Sequence, residues 1–203
     1  LEMSGQIQFR YLATFRDGDD IDDYQGGFQT RRMKLTFDGH VFDPRLQYKV
    51  TIDFDRDGGE SGLSDMWLVY ESDNGLAVTG GQFKLPFLKE ELGSAKRLLA
   101  IERSMVNRVF RQGRSQGVMA ELDRERWNAA IAFSDGFNSA NTDIGDSPAD
   151  WALTGRIEAS RGTEIRRFRD PSSTPGSPTG AYVGAAAHIE EANVDARNRG
   201  RFF

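Results

Sequence analysis

The 203-residue chain contains no cysteine, which excludes disulfides, thiolate nucleophiles and cysteine-based zinc sites. Histidine is nearly absent: His40 and His188 are the only two, too few for a histidine-rich metal site. Proline is scarce, at six residues, and no run of apolar side chains exceeds five, well short of the roughly 20 that a membrane-spanning helix needs. Basic residues are not in excess, with 26 Lys and Arg against 31 Asp and Glu and a net charge of −5, so nucleic acid is not an expected partner. The chain starts at Leu1 inside polar, strand-like sequence, which reads as a mature or trimmed form. No motif asks for a cofactor.

Glycine (22) and phenylalanine (14) are plentiful, a mixture suited to many strands joined by tight turns. Apolar and polar residues alternate with a period of two, the signature of half-buried strands. Ile7, Phe9, Tyr11 and Ala13 alternate with Gln6, Gln8, Arg10 and Leu12; Met33, Leu35 and Phe37 with Arg32, Lys34 and Thr36. The same phase recurs around Ile52, Leu68, Phe83, Val118, Ile131, Leu153 and Val183, giving about nine strands. Helical periodicity is confined to residues 88–110, where Leu88, Leu92 and Leu99 could pack one face of an amphipathic helix.

"VTIDFDRDGGESGLSD", residues 50–65, places Asp53, Asp55, Asp57 and Gly58 at the spacing of a calcium-binding EF-hand loop. Ser64 stands where the bidentate glutamate belongs, and the upstream residues alternate as a strand rather than a helix. A strand ending in a turn is the better reading, and no metal site is assigned. "GRSQG", Gly113–Gly117, fits the nucleophile-elbow pattern, yet a strand follows Ser115 where a helix is required. No pair of carboxylates stands out, so no enzyme activity is expected.

The connections alternate in length. Residues 17–26, 55–62, 86–114 and 135–149 are long; 43–45, 72–75 and 123–126 are short. One busy end and one plain end is the pattern of outer-membrane barrels. A soluble barrel or sandwich shows the same strand alternation with its apolar face turned inward, so alternation alone leaves both open.

"TRRMKLTFDG", "YKVTIDF", "LSDMWLVYE", "VTGGQFKLPFLKEEL" and "AIERSMVNRVFRQGRSQGV" occur in that order between residues 30 and 118. Together they resemble the phosphate-selective porin family, porins O and P, with "GGQFKLPF" followed by "ERS" the most specific part. The resemblance implies an all-β fold: a transmembrane antiparallel up-and-down β-barrel in the outer membrane of a Gram-negative-type bacterium, forming one domain over residues 1–203. It further implies a homotrimer, no cofactor, and passive passage of phosphate or other small anions such as polyphosphate. The same face of successive strands, with Phe9, Tyr11, Leu35, Ile52, Phe54, Leu68 and Phe83, is then expected to meet lipid.

The family's long, partly helical inward-folding loop corresponds to Pro86–Arg114. It carries seven basic residues, Lys89, Lys96, Arg97, Arg103, Arg108, Arg111 and Arg114, against Glu90, Glu91 and Glu102. With Lys84 just before it, this basic loop is the expected anion-selective constriction, because rings of Arg or Lys are the usual device of anion pores. Arg10, Arg32, Lys34, Arg45 and Lys49 are expected to extend the path along the lumen wall. The plain alternative is a solvated helix face without selectivity, and the wider ones are a soluble, small-ligand-binding β-barrel or a barrel serving only as a surface.

Two features depart from the family pattern. The resemblance implies sixteen strands, which at about ten residues each need about 160 positions, leaving too few for the connections, so a partial barrel or a smaller relative is expected. "RGTEIRRFRDPSSTPGSPTG", from Arg161, also falls where a short turn is due.

Overall fold

A computed structural model describes residues 1–16, 23–54, 61–100, 102–169, 172 and 175–192. Nine strands form one sheet: β1 (Glu2–Arg16), β2 (Asp23–Val41), β3 (Asp43–Phe54), β4 (Ser61–Glu71), β5 (Leu76–Lys84), β6 (Arg114–Asp123), β7 (Trp127–Ser134), β8 (Ala149–Arg161) and β9 (Ala181–Ala192). Their order in the sheet is their order in the chain, and every neighbouring pair is antiparallel. Among the described residues β1 and β9 do not pair with each other, so the sheet is open, as a part of a barrel would be. No described helix is long and apolar enough to cross a membrane.

The registers fix which side chains share a face. Lys34 lies opposite Asp53, Thr36 opposite Thr51, and Lys49 opposite Trp67; on the other face Leu35 meets Ile52, Phe37 meets Val50, and Tyr48 meets Leu68. The first face is the inner one. There Lys34 Nζ donates to Asp53 Oδ2 at 2.7 Å, and the Thr36 and Thr51 hydroxyls are 3.1 Å apart.

Burial is inverted relative to a water-soluble sheet. The buried side chains include Thr51, Thr79, Gln82, Thr154 and His188, and among the described residues polar ones outnumber apolar ones fourteen to eight. Meanwhile Ile7, Phe9, Tyr11, Leu68, Ile131, Phe133 and Ile157 are exposed. Monomeric soluble proteins rarely expose continuous apolar surface on this scale.

Phe83 departs from the expected outward phase. It is only 3% exposed and packs with Leu85, Met119 and Ala132 against Trp67. Phe83 shares the phase of Thr79, four residues upstream and also buried, whereas Val78, in the opposite phase, is exposed. The β5 ladders to β4 and β6 run through this point without a register shift.

Residues 88–110 do not form one amphipathic helix. They make two short helices, α1 (Lys89–Leu92) and α2 (Met105–Phe110), with a 3-10 turn at Ala95–Arg97 between them. Gly93 ends α1, Ser94 Oγ accepts from the Lys96 N–H, and Ser104 caps α2 by accepting from the Asn107 N–H. Three local caps within so short a segment win over the 3.6-residue periodicity of the leucines. Leu99, expected to pack, is 77% exposed.

The "GRSQG" serine lies inside β6, fully buried, with its Oγ 2.6 Å from Ser139 Oγ. Asp53 is paired with Lys34; Asp55, Asp57 and Gly58 lie outside the described residues.

Candidate functional site

Pro86 lacks the N–H that would continue the β5 ladder, and the chain leaves the wall there. The last links are Leu85 N–H to Gly113 O at 3.1 Å and Phe87 N–H to Leu85 O at 2.8 Å. The segment up to Gly113 then lies between two cavities on the inner side of the sheet, and Lys84, Leu92 and Ser94 border both. The larger, about 1020 Å³, is walled by β1–β4; the smaller, about 450 Å³, by β5–β9.

The loop's own acids hold it in shape. Glu90 accepts from the Ser104 N–H at 2.7 Å and from its hydroxyl at 2.5 Å, and Glu91 accepts from Asn107 Nδ2 at 3.0 Å, so α1 and α2 are tied together. Lys84 Nζ donates to the Glu91 carbonyl at 2.6 Å, and Arg103 Nε and Nη2 donate to the Glu90 and Gly93 carbonyls, both at 3.0 Å. These are the carbonyls that a helix end leaves without partners. Lys84 and Arg103 thus serve the loop's architecture as well as its charge.

At its far end the loop crosses to the opposite wall. Glu102 is held by Arg10 of β1 and by Arg31 and Arg32 of β2. The hydrogen bond from Arg31, reinforced by Arg10 and Arg32, lowers the Glu102 carboxyl to about 2. At its near end Lys89 Nζ lies 3.3 Å from the centroid of the Tyr182 ring and 5.7 Å from that of Phe168. Burial there pushes the Lys89 ammonium below its usual range. Arg156 of β8 donates to the Phe87 carbonyl and pairs with Glu158, which also accepts from Tyr182.

Nine basic and four acidic side chains line the larger cavity. Arg114 is committed to Asp65 through bonds of 2.8 and 3.2 Å, and Lys34 to Asp53. Lys49 Nζ lies 6.0 Å from the Trp67 ring. Lys96 and Arg111 border the cavity with no side-chain ion pair or hydrogen bond among the described residues. Lys89 and Arg97 border the smaller cavity instead. Arg108 is exposed and borders neither. Arg45 sits at the short-turn rim, paired with Asp43 at 2.9 Å and Asp73 at 3.7 Å and lying over the Tyr70 ring, and it too borders neither cavity. Phe54, expected to face outward, borders the larger cavity.

Sequence reasoning missed Arg31 and the anchoring role of Glu102, because nothing in the spacing shows that residues 71 positions apart will meet. The connection after β8 is the one that falls where the alternation calls for a short turn. Part of it, the 3-10 segment Ile165–Arg169, folds back against the β6–β7 turn: the Ile165 N–H donates to Glu125 O at 2.9 Å, and Arg166 and Arg169 approach Asp123 at 3.5 and 3.6 Å. This turn is therefore built up, with Ile165 buried and Phe168 reaching Tyr182.

No curated protein and no solved structure matches the chain. The family model described as phosphate-selective porin O and P matches residues 2–158. A nine-stranded up-and-down sheet with an apolar outer face and a basic loop folded across its inner side accompanies that match, and the chain belongs to the phosphate-selective porin O and P family.

Proposed function

We propose that the protein is an outer-membrane porin of a Gram-negative-type bacterium, a passive channel whose inward loop makes a cationic passage for small anions, phosphate foremost. The observation that carries this reading is the larger cavity, with its excess of basic side chains and with Lys96 and Arg111 at its border uncommitted among the described residues. An anion entering a narrow passage loses water, and guanidinium and ammonium groups replace it with charge-assisted hydrogen bonds. The family supports a channel in the outer membrane, and the exposed apolar residues of the outer face suit lipid. A homotrimer is the assembly this reading expects. A soluble ligand-binding barrel would have to hide those apolar side chains, which the sheet instead presents outward.

The test is the reversal potential of the channel in planar bilayers under a salt gradient, wild type against Lys96→Glu/Arg97→Glu. Anion preference in the wild type and a shift toward cations in the variant are expected. A wild type that prefers cations, or a variant with unchanged selectivity, would leave the loop as an ordinary solvated segment.

A further inference from the structure

The smaller cavity differs in charge from the larger one. Five basic and four acidic side chains border it. Two pairs among them offset each other: Arg156 is bonded to Glu158, and Arg169 lies 3.6 Å from Asp123. The other five are segregated by side. Lys89 and Arg97 belong to the inward loop, and Lys84 is drawn to it by the Glu91 carbonyl. Glu71 and Glu121 belong to the strand wall.

The wall opens around Glu121. One row of paired positions runs from Glu71 of β4 through Ala77, Glu121 and Ala130 to Arg156 of β8. Neighbouring strands lie about 4.8 Å apart, so each alanine leaves a gap about 10 Å wide between its longer neighbours. The half-buried Glu121 carboxylate has no ion pair or side-chain hydrogen bond among the described residues. Asp123 and Glu71 surround it with like charge, opposed by Arg169. Met119 and Leu122 add apolar surface to the same cavity.

Facing sides of opposite sign set a field across the space between them. A simple anion is drawn to the loop and repelled by the wall, and a simple cation the reverse. A zwitterion satisfies both sides at once. We infer that the smaller cavity is a site for zwitterionic solutes of the α-amino-acid class. The ammonium meets Glu121, the carboxylate turns to the loop bases, and an apolar side chain lies over Met119 and Leu122. Its volume of about 450 Å³ is in the range of small-molecule sites. The inference rests on the channel reading, since the solute reaches the cavity through the lumen.

The experiment is osmotic swelling of lipid vesicles carrying the channel, in iso-osmotic L-valine or in erythritol, an uncharged solute of similar size. In Glu121→Gln the valine-to-erythritol ratio should fall about three- to fivefold, the weight of one partly solvated ion pair. Glu121→Asp should stay near wild type. Ala130→Leu fills the gap while keeping the carboxylate, and it should lower the ratio too. An unchanged ratio in Glu121→Gln overturns the site; should that variant fail to insert, an unchanged ratio in Ala130→Leu does so. A wild type that conducts ions in planar bilayers but admits no valine also overturns the site. A wild type without conductance overturns the channel reading itself.

Discussion

Lys89, the first residue of α1, sets its ammonium 3.3 Å from the centroid of the Tyr182 ring in β9. The contact joins the root of the loop to a strand 93 positions further along the chain, and Phe168 stands beside it. Lys89 therefore has an architectural partner that Lys96 lacks among the described residues.

That pairing predicts an energetic coupling. A double-mutant cycle of Lys89→Met with Tyr182→Leu, read by urea unfolding in detergent, should give roughly 0.5–2 kcal/mol, the range of cation–π contacts. Tyr182→Phe keeps the ring and loses only the hydroxyl bonds to Glu158 and Arg156, so it should retain the coupling to Lys89. A cycle that closes to zero would make the contact mere adjacency.

Gly80 and Gly81 are adjacent and predicted to respond in opposite ways. A Cβ on Gly80 meets nothing within 4 Å, while one on Gly81 would drive into the Met66 carbonyl oxygen, at a φ of 127° that other residues rarely adopt. Gly81→Ala should cost at least ~1–3 kcal/mol, the scale of such backbone strain, and Gly80→Ala should leave the unfolding midpoint within experimental error. Equal effects at the two positions would contradict the close approach of Gly81 to the Met66 carbonyl.

The outer face should tolerate charge far less than the inner one. Leu68, half-exposed on the outside, changed to Arg should destabilise the barrel by about 2–4 kcal/mol if it lies near the bilayer midplane. Gln6→Arg, beside the larger cavity, should cost much less. Reversible unfolding from lipid vesicles measures both, and equal costs would argue against lipid on the Leu68 side.

The Glu102 attachment carries a pH signature. Its carboxyl is lowered from an ordinary value of 4.5 to about 2, so its contribution is fully present above the unfolded value. It is lost as pH falls from about 4.5 through about 2. Protease accessibility of the loop should accordingly be flat from neutral pH to about 5 and rise only in the acid window. In Glu102→Gln the same assay should show raised accessibility at neutral pH and no such step. A wild-type rise between pH 5 and 7 would assign the attachment to a different group.

The sequence by itself was enough for the nine strands, their sequential antiparallel order and the position of the long loop, because a period of two and turn residues are local signals. It also identified the basic residues available to the loop, since charge is a property of composition. It could not say which face of the sheet is inside: alternation tells which side chains lie together, and only the placement of Pro86–Arg114 against the Lys34, Lys49 and Asp65 side makes that side the interior. Nor could it foresee Glu102 meeting Arg10, Arg31 and Arg32, Lys89 meeting Tyr182, or Phe83 packing against Trp67. Each of these depends on strands or loops distant in the chain being brought together, which leaves no periodic trace.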